Sequence, residues 1–244
     1  MKFYYILLLT LFSVSCSENN RIIKIKGSDT EVNLSVILAE EFYKYNTQFI
    51  VSISGGGSGL GIASLLNGQT DIANSSRPLS AEEIQMFEKK NVQYKTLVFA
   101  EDATAFVVHK SNPLDSINVS DLGKLLSGSY QNWQQVTSIN NPVTIYGRQS
   151  NSGTHSFVQK KLNINFSRAA KEMSGNAQIL ESVKLDPTGI GYVGAGYLIN
   201  GTSDGNIKPL KIISPENGIA ISPLDNYAIE NGLYFFQRPL YQFI

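Results

Sequence analysis

Three short segments of this chain combine serine or threonine hydroxyls with glycine, where an expected strand leads into an expected helix. They are GSDT (27–30), GSG (57–59) and SGT (152–154). Helix N-termini carry unpaired backbone N–H groups and the positive end of the helix dipole, and glycine lets the backbone approach a ligand closely. Such a segment binds anions without a positive net charge. One alone is usually only a helix cap, but three together indicate an anion site.

Two arginines, Arg77 and Arg148, stand in similar turns. An arginine grips a tetrahedral oxyanion through two parallel hydrogen bonds. The 244 residues include 20 basic and 20 acidic side chains, so the formal net charge is zero. This balance gives no general positive field to hold a nucleic-acid backbone, so we expect no nucleic-acid partner. Any bound anion must therefore be held by local geometry.

The glycine-rich segment GGGSGLG (55–61) does not fit the other motifs that use glycine. A P-loop ends in Gly-Lys-Ser/Thr, and no lysine lies between Lys44 and Lys89. A dinucleotide fingerprint needs glycines at i, i+2 and i+5, and the third is missing in every frame. A nucleophile elbow needs Gly-x-Ser-x-Gly, and Leu60 occupies the last glycine position.

Histidine and cysteine are too few for most metal and nucleophile chemistry. Cys16 is the single cysteine, and His109 and His155 are the two histidines. This excludes an internal disulfide framework, a cysteine-rich metal site and a His-x-x-x-His zinc site. We therefore expect no catalytic residues, no metal site and no cofactor.

The segments that must position these residues alternate between strand and helix patterns. Hydrophobic residues make up 42% of the chain and charged residues 16%, which is typical of a globular protein. The strand–turn–helix rhythm predicts an α/β fold of one large domain or two smaller ones. Strands are predicted at 22–26, 49–54, 71–74, 94–99, 104–109, 143–146, 189–198 and 207–213, and helices at 32–45, 62–66, 81–90, 119–126, 155–162 and 177–185.

The N-terminus has the pattern of an export signal. Lys2 precedes an apolar run at 3–12, which is shorter than the ~20 residues of a membrane-spanning helix and suits a signal-peptide core. Small residues and Cys16 follow, and the segment resembles a bacterial lipoprotein signal. We predict a signal peptide at 1–15, lipidation of Cys16 and a tether at 16–21; a plain secretory signal is the alternative. The protein would then work outside the cytoplasm, anchored by lipid to the periplasmic face or cell surface of a bacterial membrane.

In several of its segments the chain resembles a known family, the PstS-type phosphate-binding lipoproteins of bacterial phosphate ABC transporters. It is closer in length to the compact members than to the longer ones. The matching segments run in the family order and cover most of the chain after the signal. They are GSDT (27–30), SGGGSGLGIASLLNGQTDIANSSRPL (54–79), VVHKSNPL (107–114), GRQSNSGT (147–154), GNA (175–177) and GIGYVGAGYL (189–198).

The resemblance implies a type II periplasmic binding protein, with two α/β lobes joined by two crossover segments and the ligand in the cleft. The predicted lobes are residues 22–98 plus 196–244, and residues 99–195. It also implies a monomeric binding protein, not an enzyme, that captures inorganic phosphate and delivers it to ABC permease subunits. Its contact with the membrane would be the lipid anchor alone.

Carried over to this sequence, the resemblance implies a phosphate-binding shell from four segments. Its members are Ser28, Asp29, Thr30, Ser58, Ser76, Arg77, Arg148, Ser152, Gly153 and Thr154. The longer members have an acidic residue where this chain has Arg77, and an Asp where it has Ser150. Phosphate at neutral pH keeps a P–OH that needs an acceptor, and a carboxylate there repels sulfate. We therefore assign the acceptor to Asp29, with a helix-capping role as the alternative.

Two other functions stay open at the level of sequence. A binding protein for another tetrahedral oxyanion, such as sulfate or molybdate, would share the fold. An extracytoplasmic phosphatase or serine hydrolase is less favoured, because the chain shows no cluster of carboxylates and histidines. An additional sensory or adhesive role is also left open.

Overall fold

The structure is a computed structural model that describes residues 21–201 and 205–244. The predicted signal peptide, Cys16 and all of the tether except residue 21 lie outside the described residues. The chain alternates strands and helices as expected. In chain order the elements are β1 (Arg21–Gly27), α1 (Val32–Tyr45), β2 (Phe49–Ser54), α2 (Ser58–Leu66), β3 (Ile72–Ser75), α3 (Ala81–Lys89), β4 (Thr96–His109), β5 (Ser116–Asn118), α4 (Val119–Ser127), β6 (Thr144–Arg148), α5 (Gly153–Leu162), β7 (Lys171–Met173), α6 (Asn176–Leu185), β8 (Gly189–Gly194), α7 (Gly196–Gly201), β9 (Ile207–Pro209), β10 (Lys211–Ile213), β11 (Ala220–Ile221), α8 (Asn226–Glu230) and β12 (Gln237–Phe243).

The main sheet has the strand order β2-β1-β3-β12-β4-β8-β6-β7, with β9 added to β4. Strands β1, β2 and β3 are parallel, and so are β6, β7 and β8. Antiparallel β12 and β4 lie between these two parallel groups. A smaller sheet of order β11-β10-β5 lies beside the second group. The fold is therefore the mixed α/β architecture that the sequence predicted.

Strand β4 belongs to both parallel groups. Its first part, through Ala103, pairs with β12, and its second part, from Thr104, pairs with β8. The two strands predicted at 94–99 and 104–109 are therefore one strand. In the sequence, the charged pair Glu101 and Asp102 resembles a boundary between two strands. In the structure, Asp102 lies opposite Arg238 of β12. The opposite charge on the neighbouring strand lets the strand continue through the buried Asp102.

We use lobe one for β1–β3, β12 and α1–α3, and lobe two for β5–β11 and α4–α8. Lobe one has a small core in which Ile62, Phe87 and Phe243 are buried. Lobe two holds the larger core, centred on Phe106, Trp133 and many aliphatic side chains. The lobe division predicted from the sequence placed all of 196–244 with the first lobe. In the structure β9 and β10 instead pair with β4 and β5, and among the strands of that stretch β12 is the one that joins lobe one.

Two local differences from the predicted elements have clear causes. The strand predicted at 189–198 ends at Gly194, and α7 begins at Gly196, so the second half of this glycine-spaced run is helical. Helix α2 begins at Ser58 and not at residue 62, because the glycines of this segment permit close packing. A side chain at Gly61 would overlap the backbone of β1 at Lys26 and Gly27. The glycine-rich segment is thus largely a helix start and not only a loop.

Candidate functional site

The predicted hydroxyl segments of lobe one meet at one edge of the sheet. Strands β1, β2 and β3 are parallel, so their carboxyl ends lie together, and ligands of open α/β sheets bind at this edge. Ser28 follows β1, Ser58 begins α2 after β2, and Ser76 follows β3. The Ser58 hydroxyl accepts a hydrogen bond from the Ser76 N–H at 3.1 Å, and their two hydroxyls lie 3.4 Å apart. All three serines are buried.

Lobe two adds the N-terminus of α5 to this cluster. Ser152 caps the helix by accepting a hydrogen bond from the His155 N–H. Gly153 is so close to lobe one that a Cβ there would overlap the hydroxyls of Ser58 and Ser76. Glycine at this position is therefore required by the approach of the two lobes. The first turn of α5 therefore packs against the turns of lobe one that carry Ser58 and Ser76.

Thr30 and Thr154 form a hydroxyl–hydroxyl contact of 3.1 Å from opposite lobes. The Arg238 guanidinium lies beside this contact. Its Nη2 donates to Thr154 at 3.1 Å, and its Nε and Nη2 donate to Asp102 at 3.1 and 2.9 Å. Arg238 is 2% exposed, so this cation belongs to the interior of the site.

Arg148 and Asp29 form the other charged contact between the lobes. Arg148, at the end of β6, donates from Nη1 to Asp29 Oδ2 at 3.3 Å and from Nη2 to the Ser174 carbonyl. Asp29 Oδ2 also accepts from the backbone N–H and the side chain of Asn176, at 2.8 and 2.7 Å. Burial lowers the pKa of Arg148, and the Asp29 carboxylate opposes that shift. Asp29 thus caps helix α6 of the opposite lobe.

Two donors in this cluster have no hydrogen-bond partner among the described residues. They are Arg148 Nε and Arg238 Nη1, both fully buried. A buried cationic N–H without an acceptor is costly, so its presence calls for a ligand. Arg238 also donates to the Thr154 hydroxyl, and Arg148 also donates to Asp29, which stands between Ser28 and Thr30 in the chain. Such an arrangement of buried donors is chemically suited to a small, multiply charged anion.

Arg77 is the predicted site residue that the structure does not bring into the cluster. Its Nη1 and Nη2 donate to the two carboxylate oxygens of Glu83 at 2.7 and 2.8 Å, and Nη1 also donates to the Pro78 carbonyl. Glu83 completes the capping box of α3 with Ser80. The other predicted residues lie at the cluster or within hydrogen-bond distance of it. They are Ser28, Asp29, Thr30, Ser58, Ser76, Arg148, Ser152, Gly153 and Thr154.

Arg238 and Asn176 are the cluster residues that sequence reasoning missed. Five aromatic residues crowd the C-terminal segment 233–244, a composition typical of packing, and Arg238 is easily overlooked among them. A signal was present: the pattern QRPLYQF of β12 alternates, and Arg238 occupies an inward position together with Leu240. A charged residue at an inward position of a strand needs a buried partner.

A second cavity among the described residues is a mostly apolar groove whose charged residues are all acidic. This groove of about 910 Å³ opens behind Thr30 between α1, α7 and α8, and its charged lining residues include Glu101 and Glu230. Those carboxylates disfavour an anion. Within residues 21–201 and 205–244, no group of three histidine, cysteine or acidic side chains is placed to hold a metal. No helix in the same ranges is long and apolar enough to cross a membrane.

Comparison with known proteins gives consistent matches over nearly the whole chain. Residues 15–242 match the family model of the PBP superfamily domain. The protein SphX of Synechococcus elongatus is 33% identical over 96% of this chain and 72% of its own length. The phosphate-binding protein PstS of Borreliella burgdorferi is 31% identical over 95% of this chain and 84% of its own length.

Solved structures match the fold at lower identity. One is a Clostridium perfringens protein with bound phosphate, assigned as the substrate-binding component of a phosphate ABC transporter. Its TM-score is 0.80 at 22% identity, covering 91% of this chain and 86% of the other. An ABC-type phosphate transport receptor from Vibrio cholerae has a TM-score of 0.68 at 23% identity, with the same coverage. At these identities the likeness concerns the two-lobed fold.

Proposed function

Because this chain belongs to the PBP superfamily, and within it to the PstS-type phosphate-binding proteins, we propose that it captures inorganic phosphate between its two lobes for an ABC transporter. It is a binding protein of the periplasmic type and not an enzyme. The observation that carries the assignment is the pair of buried guanidinium groups with unpartnered N–H donors beside a ring of hydroxyls. The anion is held by buried donors, which agrees with the zero net charge of the chain.

The proposed contacts divide by chemistry. The hydroxyls of Ser28, Thr30, Ser58, Ser76 and Thr154 donate to phosphate oxygens, as do the N–H groups at the start of α5, where Ser152 and Gly153 lie. Arg148 and Arg238 supply the opposite charge through their unpartnered N–H groups. Asp29 accepts the P–OH hydrogen through the carboxylate that also connects the lobes. Arg77 does not contact the anion; its ion pair with Glu83 stabilises the turn that carries Ser76.

Such a site discriminates against sulfate by hydrogen-bond polarity. Sulfate carries no proton at neutral pH, so it has nothing to donate to a carboxylate in the cleft. The partly buried Asp29 carboxylate then faces an anion oxygen without a hydrogen between them, which costs binding energy. Phosphate with one P–OH satisfies the same acceptor.

Calorimetric titration of the purified, phosphate-stripped protein tests the proposal. We expect one phosphate bound per chain and no heat from an equal titration of sulfate. A sulfate or molybdate response with no phosphate response would assign the site to another oxyanion. Turnover of a chromogenic phosphate ester would assign the protein to the phosphatases. If none of these anions produces binding heat and the phosphate ester is not turned over, anion binding is rejected.

We further propose that the protein is a monomer, tethered outside the cytoplasm through a lipid on Cys16, and that it docks on permease subunits with its lobes closed. The support is the N-terminal sequence pattern and the family membership. Mass spectrometry of the membrane-extracted protein should find a lipid-modified Cys16 as the first residue. A Cys16→Ser variant should leave the membrane fraction. An unmodified N-terminus would favour a plain secretory signal.

A further inference from the structure

Glu31 is a carboxyl group for which the proposed contacts provide no role. It ends the short 3-10 turn Asp29–Glu31, directly after Ser28 and Thr30, and its exposed fraction is 0%. Neither carboxyl oxygen has a hydrogen-bond partner among the described residues. Burying an ionised carboxylate without partners is very costly, so such a group is neutral unless something compensates it.

The groups that face Glu31 come from four segments of the chain. The Ser28 hydroxyl and the Ser75 N–H approach it without completing a hydrogen bond of normal geometry. Arg238 of β12 and Asp102 of β4 are the charged groups near it. Burial, with a smaller contribution from Asp102, raises the pKa of Glu31 to about 8, although Ser28, Arg238 and Ser75 oppose the shift.

With both ion pairs of the site intact, the charges around it balance when Glu31 is protonated. Arg238 is paired with Asp102, and Arg148 is paired with Asp29. These two ion pairs together are neutral, so an ionised Glu31 would leave the interior with one net negative charge. That charge would lie next to Ser28, which donates to the phosphate in the proposed site. A dianion would be repelled at short range and in a low-dielectric interior, where the repulsion is strong.

We propose that Glu31 is a proton-linked switch for anion binding: the cleft admits phosphate when Glu31 carries its proton and rejects it when Glu31 is ionised. Glu31 is a positioning residue, because it acts through the Ser28 hydroxyl and the charge of Arg238 and not by touching the anion. This inference rests on the proposed phosphate site. It adds a regulatory proton that is separate from the P–OH proton accepted by Asp29.

The affinity for phosphate should therefore fall as the pH rises through the transition of Glu31. One pH unit above a pKa of about 8, about one tenth of the molecules are protonated. The apparent dissociation constant scales inversely with the competent fraction, so it should be about tenfold higher at about pH 9 than at about pH 7. Calorimetry in two buffers of different ionisation enthalpy at the higher pH should show uptake of about one proton per phosphate bound.

The Glu31→Gln variant mimics the protonated acid and should lose most of this pH dependence. Comparison with the variant also subtracts the protonation of phosphate itself, which both proteins share. The matched control is Glu88→Gln, an exposed glutamate on α3, which should keep the pH profile of the original protein. If the variant fails to fold, the proton count on the unmodified protein and the carbon-13 NMR titration of the Glu31 carboxyl decide the question.

The outcomes separate the two proposals. An affinity that does not change between about pH 7 and about pH 9, or a Glu31 carboxyl that titrates below about pH 6, overturns the switch while the phosphate site stands. A pH dependence that persists in Glu31→Gln overturns it as well. No phosphate binding at either pH overturns the phosphate site, and the switch with it.

Discussion

Asp29 of lobe one caps the first turn of α6 in lobe two by accepting hydrogen bonds from both the backbone N–H and the side chain of Asn176. A carboxylate at a helix N-terminus is stabilised by the helix dipole as well as by the N–H groups. Here the cap and the helix belong to different lobes, so the interaction exists only when the lobes are together. The cap therefore contributes to closure of the cleft as well as to the helix.

The Asp29→Asn variant should bind phosphate at least about tenfold more weakly. Hydrogen bonds to a charged group contribute about 1.5–3 kcal/mol, and the variant removes that charge from three of them. Calorimetry with phosphate and sulfate measures the effect, with the exposed Asp71→Asn as control. A fall in affinity together with lost preference over sulfate supports the role of P–OH acceptor. Unchanged affinity and preference would contradict both roles of Asp29.

The Gly153→Ala variant should weaken phosphate binding by about tenfold or more. The added methyl group would overlap the hydroxyls of Ser58 and Ser76, so the lobes must separate slightly, and overpacking of this kind costs about 1–3 kcal/mol. Gly196→Ala is the matched control, because a Cβ there meets no atom within 4 Å. Both variants are compared by calorimetry. Equal affinities would show that the close approach at Gly153 does not belong to the bound state.

The Arg238→Lys variant should bind phosphate about tenfold more weakly while keeping the charge next to Asp102. The three N–H groups of lysine radiate from one nitrogen, so they cannot reproduce the planar fork by which the guanidinium holds Asp102 and Thr154 and still offers Nη1 to an anion. The exposed Arg168→Lys is the control. Unfolding by denaturant must be measured alongside, since damage to a buried ion pair also lowers stability. If affinity is unchanged, Arg238 serves only to neutralise Asp102.

The Arg77→Ala variant should lower stability more than phosphate affinity. The ion pair with Glu83 is largely buried, with side chains 17% and 19% exposed, so we expect a loss of about 1 kcal/mol in the free energy of unfolding. Lys44→Ala, which breaks an exposed pair with Glu41, should have almost no effect. A tenfold loss of affinity at unchanged stability would instead place Arg77 against the anion, as the sequence predicted.

The free energy of unfolding should decrease as the pH rises from about 4.5 to about 8 because of Glu31. The folded protein holds the proton up to about pH 8, whereas the unfolded chain releases it near pH 4.5, so the native state binds more protons between these values. The decrease is up to about 1.4 kcal/mol per pH unit and ends above the folded pKa. Denaturant unfolding of the original protein and Glu31→Gln measures it. Parallel curves for the two proteins would mean that Glu31 is ionised in the folded state.

Local pattern in the sequence predicted the elements closest to the site. The bounds predicted for α1 and β2 agree with the structure, because polar turn residues flank both segments in the sequence. The strand-to-helix turns at Ser28 and Ser152 were predicted from hydroxyl and glycine residues at helix starts. Parallel strand order then brings such turns together, a consequence of α/β topology that requires no knowledge of distant contacts.

Only the tertiary structure decided which charged side chains face one another. Arg77 pairs with Glu83 of its own lobe, and Arg238 of the last strand donates to Thr154 in the cleft. Asp29 caps a helix that begins 147 positions further along the chain. Glu31 follows Asp29 by two positions, yet one is fully buried and the other is bonded across the cleft. Sequence period and turn chemistry act over a few residues, whereas the ion pairs of a buried cleft depend on strand order and lobe contact, which bring distant residues of the chain into hydrogen-bond contact.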